Sequence, residues 1–278
     1  MSDVMEATLR TTLRRAGLFE HATSYLQRVA ERYYTQRLDG DTSLRAQVDR
    51  LQRLRSLERH YGHTEFQRPH QVLNVSLYLA ELTRTVEARL GHDGFDPTRS
   101  RLLDVGDPDG LVLHYLGARH GVSVNILDVC VRQITASGGR AVRGDCALLP
   151  FADAAFDYVC CFETLEHLEN PIAGLKELAR LVKRKLYLAI PWVRRTVIRE
   201  DNHDPKQPEP ENHVFEFSHA DFLKILTHAR LRVSYYHTIA VVPRIVNPVH
   251  RLLLERFYFP VNYARYQFFE LEKEGQRR

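Results

Sequence analysis

From Arg101 onward the chain alternates short apolar runs with amphipathic stretches. Arg101–Val105 reads as a strand, Leu111–His120 as a helix, and Val122–Leu127 as a second strand ending at Asp128. Val131–Ser137 is a short helix or turn, and Ala141 with Val142 a third strand ending near Asp145. Phe156–Phe162 is a fourth strand, Pro171–Val182 a helix, and Lys185–Ile190 a fifth strand stopped by Pro191. This rhythm of short strand and helix predicts βαβ units, hence a parallel sheet covered by helices on both faces. Further on, Ser218 caps a helix over His219–Ala229, and Leu231–Thr238 and Tyr263–Leu271 read as sixth and seventh strands. An insertion at about 241–262, helical over 252–258, separates these two strands, which can still pair antiparallel.

Upstream the period changes to that of helices. Leu44, Val48, Leu51, Leu54 and Leu57 form one stripe over Thr42–His60, with Asp41 or Thr42 as cap and Gly62 as stop. Val72, Val75, Leu79, Leu82 and Val86 form another over His70–Leu90. The predicted organisation is an N-terminal helical extension over 1–65 followed by an α/β domain over 66–278. Residues Trp192–Asn212, rich in charge and proline, read as a long loop.

Composition narrows the picture only a little. The chain has 278 residues, of which 44% are hydrophobic, enough for one α/β core with additions. No apolar run reaches the roughly 18–20 residues of a membrane span. The segment Met1–Arg15 lacks the apolar stretch and cleavage site of a secretory signal, so a cytoplasmic protein with no membrane partner is expected. Cys130, Cys146, Cys160 and Cys161 form no CxxC pair and read as reduced, buried thiols. A formal net charge of +4 permits a nucleic-acid partner without favouring one.

Candidate chemistry gathers where strands end, the side on which open α/β sheets bind ligands. Leu102–Gly110 ends a strand in Asp104 and opens into a turn with Gly106 and Gly110, which tolerate dihedrals other residues resist. Asp128 follows the second strand about 20 residues after Gly106, where a carboxylate can meet two ribose hydroxyls. Taken alone, it reads more often as a helix cap. Asp145 and Cys146 follow the third strand, with Leu148 as an apolar wall, and Phe162 closes the fourth.

Together, 102–110, 144–151 and 156–171 resemble the class I methyltransferases, specifically the large group called type 11. The resemblance spans about Leu102 to Ala229 and, more loosely, reaches Lys273. It implies a Rossmann-like, mostly parallel sheet of seven strands, the last antiparallel, that binds S-adenosyl-L-methionine and releases S-adenosyl-L-homocysteine. It places Asp104, Gly106, Asp107, Gly110, Asp128, Val129, Asp145, Cys146 and Phe162 at the cofactor. Two departures stand out. Pro108 replaces the middle glycine of the family's first motif and removes a backbone donor. Lys183, Arg184 and Lys185 stand where the family often has Pro-Gly-Gly.

Methyl transfer to a weakly acidic hydroxyl needs a base or a metal. Glu163, Glu166 and His167 form Glu-x-x-Glu-His after the fourth strand, and His213 leads His-Val-Phe-Glu further on. Ubiquinone-pathway O-methyltransferases resemble the first run, which in that family binds a divalent cation. Small-RNA 3′-end 2′-O-methyltransferases resemble both runs. Many family members carry the first run without metal. The reading adopted is His167 and His213 as catalytic groups with no metal, acting on an oxygen or nitrogen of a small-molecule acceptor. Two alternatives stay open: a divalent-metal-dependent RNA 2′-O-methyltransferase, and a non-catalytic methyltransferase-like scaffold.

Overall fold

Seven consecutive residues, Phe-Asp-Tyr-Val-Cys-Cys-Phe, build the centre of the sheet in a computed structural model of the chain. The structure describes residues 15, 19–54, 69–198, 213–242, 245–258 and 264–275. Strands are β1 (Arg101–Val105), β2 (His120–Asn125), β3 (Ala141–Arg143), β4 (Phe156–Phe162), β5 (Val182–Pro191), β6 (Val197–Ile198), β7 (Phe215–Glu216), β8 (Leu231–Ala240) and β9 (Arg265–Lys273). Seven of them form one sheet in the order β3-β2-β1-β4-β5-β9-β8. Neighbours from β3 through β5 pair in parallel, and β9 pairs antiparallel with β5. This is the expected seven-stranded sheet with its last strand reversed. β6 and β7 form a separate antiparallel pair that the sequence pattern did not announce.

Chain contacts define two compact units: Met1–Glu81 with Ala240–Arg265, and Leu82–Ile239 with Tyr266–Arg278. In the second, alternate residues of the central strands bury opposite faces of the sheet. Leu103, Val159, Cys161, Leu186, Leu188 and Phe269 pack on one side with Leu175, Leu178 and Phe222 of the covering helices. Leu102, Tyr158, Cys160, Tyr187 and Phe268 point the other way and are equally buried. A strand buried on both faces reads as a nearly continuous apolar run, interrupted in β4 by Asp157 alone, which is why β4 is so plain in the sequence. Cys160 and Cys161 thus face opposite sides, and all four cysteines are free and buried.

Several boundaries differ from the pattern-based expectation, each for a local reason. The helix after β1 stops at Leu116, because Gly117 adopts φ 63° and closes it, and His120 already belongs to β2. β2 ends at Asn125, whose side chain accepts from the Leu127 N–H at 2.9 Å and donates to the Gly106 carbonyl at 3.1 Å. Asp128 therefore opens the next helix, Asp128–Ala136, rather than ending the strand. β5 follows the helix Pro171–Leu181 without a loop and includes Lys183–Lys185. These polar residues are tolerated in a strand because they have partners: Arg184 lies over the Tyr158 ring, and Lys185 donates to Glu270 at 2.7 Å.

In the first unit, Phe19–Gly40 and Thr42–Leu54 are helices, the second capped by Asp41, which accepts from the Leu44 N–H at 2.9 Å. Such a cap contributes about 1 kcal/mol. Residues 55–68, including the predicted end of that helix, lie outside the described residues. Tyr34 is fully buried and accepts from Asn74 at 2.8 Å. In the 241–262 insertion the helix starts earlier than expected, at Pro248, with Asn247 accepting from Val249 and His250. It passes into one π turn over Leu254–Tyr258. Among the described residues no helix is long and apolar enough to cross a membrane.

Candidate active site

Two groups of predicted site residues lie at the carboxyl ends of the parallel strands. The first surrounds the turn after β1. Asp104 is buried and sits opposite Cys160 in the β1–β4 register. No N–H or O–H among the described residues donates to either of its oxygens. Burial holds its pKa well above the usual carboxylate range, and the Asp107 and Asp109 carboxyls push it the same way. A buried acid without a donor is costly unless a cation or a proton satisfies it, so Asp104 suits a ligand ammonium.

Gly106 takes φ 92°, and a β-carbon there would run into Thr164, at 2.8 Å from Cγ2. Gly110 takes φ 73° beside Ile134. Between them Pro108 removes a donor, and Asp107 reorganises the turn: its carboxylate accepts from the Asp109 N–H at 3.1 Å and the Val112 N–H at 3.0 Å. Asp107 thus satisfies an N–H in the first turn of the helix that Gly110 opens, as well as being a cofactor candidate.

Asp128 is exposed and forms an ion pair with Arg132 one turn along its helix. Asp145 accepts from the Ala147 N–H at 2.9 Å. Cys146 turns its thiol into the core toward Gly174, so only its backbone faces the loop. Ile126, Val129 and Leu148 are exposed at the ends of β2 and β3, with Leu148 at 80%. Open apolar side chains where ligands bind are consistent with a planar apolar guest. Ile126 went unremarked in the sequence, where it reads as one more apolar residue of the strand Val122–Leu127.

The second group follows β4. Glu163 takes φ 48°, a left-handed turn that ends the strand, and Leu165–His167 form one 3-10 turn. The Val214 N–H donates to the Glu166 carbonyl at 2.8 Å, tying this turn to the segment before β7. One donor atom each from Glu166, His167 and His213 lies within 4.8 Å of the others. The two imidazoles meet edge to face, with centroids 4.7 Å apart. His213 Nδ1 is 3.3 Å from Glu216 Oε1.

Glu166 is fully buried. Its own backbone N–H and the Glu163 side chain lie near its oxygens, but neither meets them at hydrogen-bonding geometry. Burial pushes its pKa up to about 7, against the pull of His213. Thus the structure brings Glu166, His167 and His213 together, leaves Glu163 beside them, and adds Glu216. Trp192 is half-buried and Arg194 and Arg195 are exposed, while Arg199 lies outside the described residues.

Residues 103–190 match the family profile described as a methyltransferase domain. Over this stretch, about a third of its length, the chain is similar to methyltransferase domains. Among curated proteins, this chain is 30% identical over 142 residues to the O-methyltransferase resE of Aspergillus sclerotiorum, covering 47% of this chain and 52% of that protein. It is 32% identical over 108 residues to the ubiquinone biosynthesis O-methyltransferase of Paracidovorax citrulli (strain AAC00-1), covering 34% and 45%. The chain therefore spans about half the length of the curated relatives it matches. The fold is similar to the crystal structure of magnesium protoporphyrin IX methyltransferase from Synechocystis PCC 6803 with bound S-adenosylmethionine. There the TM-score is 0.53 at 17% identity, over 78% of this chain and 89% of that one. The matched stretch of the methyltransferase domain contains the Asp104–Gly110 turn and the Glu-x-x-Glu-His run, and ends before His213.

Proposed function

We propose that this protein is an S-adenosylmethionine-dependent methyltransferase acting on an oxygen or nitrogen of a small-molecule acceptor, with oxygen favoured. The observation that carries this reading is the cluster of buried Glu166 with half-buried His167 and His213, which follows β4 at the same carboxyl ends of the strands as the Asp104–Gly110 turn. The names of the two curated relatives, both O-methyltransferases, support oxygen and a small acceptor.

Asp104 would hold the cofactor's ammonium group, Asp128 its ribose hydroxyls in place of Arg132, and Asp145 with the Cys146 backbone its base. Gly106, Asp107, Gly110, Val129 and Phe162 complete the same surface. Bound there, the cofactor supplies an electrophilic methyl group. The chain's own residues align the acceptor and take its proton: His213 or His167 accepts the hydroxyl proton as the acceptor oxygen gains the methyl. Four buried free thiols fit a reducing compartment such as the cytoplasm.

The same cluster favours one second reading. Two imidazoles beside a buried carboxylate make a donor set suited to a divalent cation, as in a metal-dependent RNA 2′-O-methyltransferase. Calorimetric titration with S-adenosylhomocysteine, with and without Mn²⁺, separates the possibilities. Micromolar binding of the nucleoside supports the enzyme, and Mn²⁺ heat lost in His213→Ala moves the metal reading ahead. No binding in either condition leaves a non-catalytic scaffold.

A further inference from the structure

Four side chains meet around the turn after β4, and one of them has no part in the reaction as drawn. Glu216 lies on β7, is buried to 5% side-chain exposure, and stands 3.3 Å from His213 Nδ1 through Oε1. A carboxylate taken into the interior needs a partner that donates, and an imidazole N–H supplies one. We infer that Glu216 is a positioning residue that fixes the ring orientation and tautomer of His213.

The backbone holds both partners in place. β7 pairs with β6 through Val197↔Glu216 and Ile198↔Phe215, and the Val214 N–H donates to the Glu166 carbonyl. His213 and Glu216 are therefore presented from one short, doubly anchored segment rather than from a free loop. With Nδ1–H donated to Glu216, Nε2 is the unprotonated ring nitrogen, the one that can accept a proton. A neutral imidazole without such a partner is free to carry its proton on Nε2 instead, and the base would then be blocked. The arrangement follows the logic by which a carboxylate orients an imidazole in acid–base sites generally. It rests on the proposed role of His213, and it serves equally whether Nε2 meets a proton or a cation.

The test is long-range ¹H–¹⁵N correlation on the full chain labelled at histidine nitrogen, at pH 8, where imidazoles are neutral. His213, assigned through His213→Gln, is expected to show a protonated, pyrrole-like Nδ1 and a bare, pyridine-like Nε2. In Glu216→Leu the pattern should invert toward Nε2–H, and Glu216→Gln, which keeps an accepting oxygen, should restore the wild-type pattern. S-adenosylhomocysteine affinity, read by calorimetry, should stay within about twofold in both variants, which controls for folding. A wild-type His213 protonated on Nε2 overturns the inference, and so does a Glu216→Leu spectrum that does not change. The wild-type spectrum decides the matter even if Glu216→Leu does not fold. Loss of the Nδ1–H pattern is distinct from a failed enzyme: a correct tautomer together with full methyl transfer in His213→Ala keeps the positioning contact and removes the base.

Discussion

Thr164 packs so tightly on Gly106 that a β-carbon at position 106 would lie 2.8 Å from its Cγ2 and 2.9 Å from its Cβ. Gly106 also holds φ 92°, a region in which a side chain is strained. The turn that opens the proposed cofactor site and the turn that carries the Glu166 cluster are thus one packed unit, because Thr164 belongs to the second. Gly106→Ala should cost about 2–3 kcal/mol in urea denaturation, from strain and overpacking together. S-adenosylhomocysteine should bind at least about tenfold more weakly, about 1.4 kcal/mol. Adding Thr164→Gly should recover the steric part of the loss and leave the dihedral part. Unchanged stability in Gly106→Ala alone would show that the turn adjusts freely.

Asp107 compensates for Pro108. Proline removes one donor from a turn in which glycine usually sits, and the Asp107 carboxylate gathers the Asp109 and Val112 N–H groups on either side of Gly110. Asp107→Ala should cost about 1 kcal/mol in thermal or urea denaturation, as the loss of a helix cap does. Asp107→Asn keeps an accepting oxygen and should cost less than half of that. If both variants match the wild type, the cap contributes nothing and Pro108 needs no compensation.

Much of this was legible in the chain, and the parts that were not have physical causes. β4 could be bounded to the residue, because a strand buried on both faces leaves an apolar run between Ala155 and Glu163 that only Asp157 interrupts. The three donors of the Glu166 cluster could be named, because two short motifs carry them. Their spacing in sequence, however, says nothing of the Val214–Glu166 backbone bond that joins the motifs. Glu216 was visible only as the end of a motif, since a carboxylate's partner three residues back is a matter of strand geometry. The start of β5 was hidden by Lys183–Lys185, whose charges are balanced by residues on β9 and by an aromatic face far away in sequence. The second strand was read two residues too long, to Leu127, because the Asn125 side chain that ends β2 leaves no apolar signature.

Glu166 makes the stability of the protein depend on pH in an unusual direction. Its pKa in the folded state is about 7, above its ordinary value of 4.5. Between those values the folded state keeps a proton that the unfolded chain has lost, so stability falls as pH rises from about 4.5 to about 7 and then levels off. Glu166→Gln removes this slope. The variant should resemble the wild type at pH 4.5 and exceed it by about 2–3 kcal/mol at pH 8, since each tenfold change in proton affinity is worth roughly 1.4 kcal/mol. Urea denaturation at the two pH values checks this. Equal stability differences at both pH values would show that Glu166 is already charged in the folded protein at pH 5.

A buried ion cluster at the opposite end of β5 predicts the reverse slope. Glu270 is 1% exposed and accepts from Arg89 Nε at 2.7 Å, Lys185 Nζ at 2.7 Å and Ser234 Oγ at 2.6 Å. Burial alone would raise its pKa, but these three donors outweigh it and hold the carboxyl below its ordinary value. Its contribution is therefore present above the unfolded pKa and lost as pH falls through the folded one. Glu270→Ala leaves Arg89 and Lys185 partly buried beside a missing charge and should cost about 3–5 kcal/mol at pH 7. Glu270→Gln keeps the shape and one acceptor and should cost less. As pH falls below about 4 the wild type loses the same contribution, so the gap between it and Glu270→Ala should narrow in acid. A gap that stays constant down to pH 3 would assign the loss to the cavity rather than to the charge.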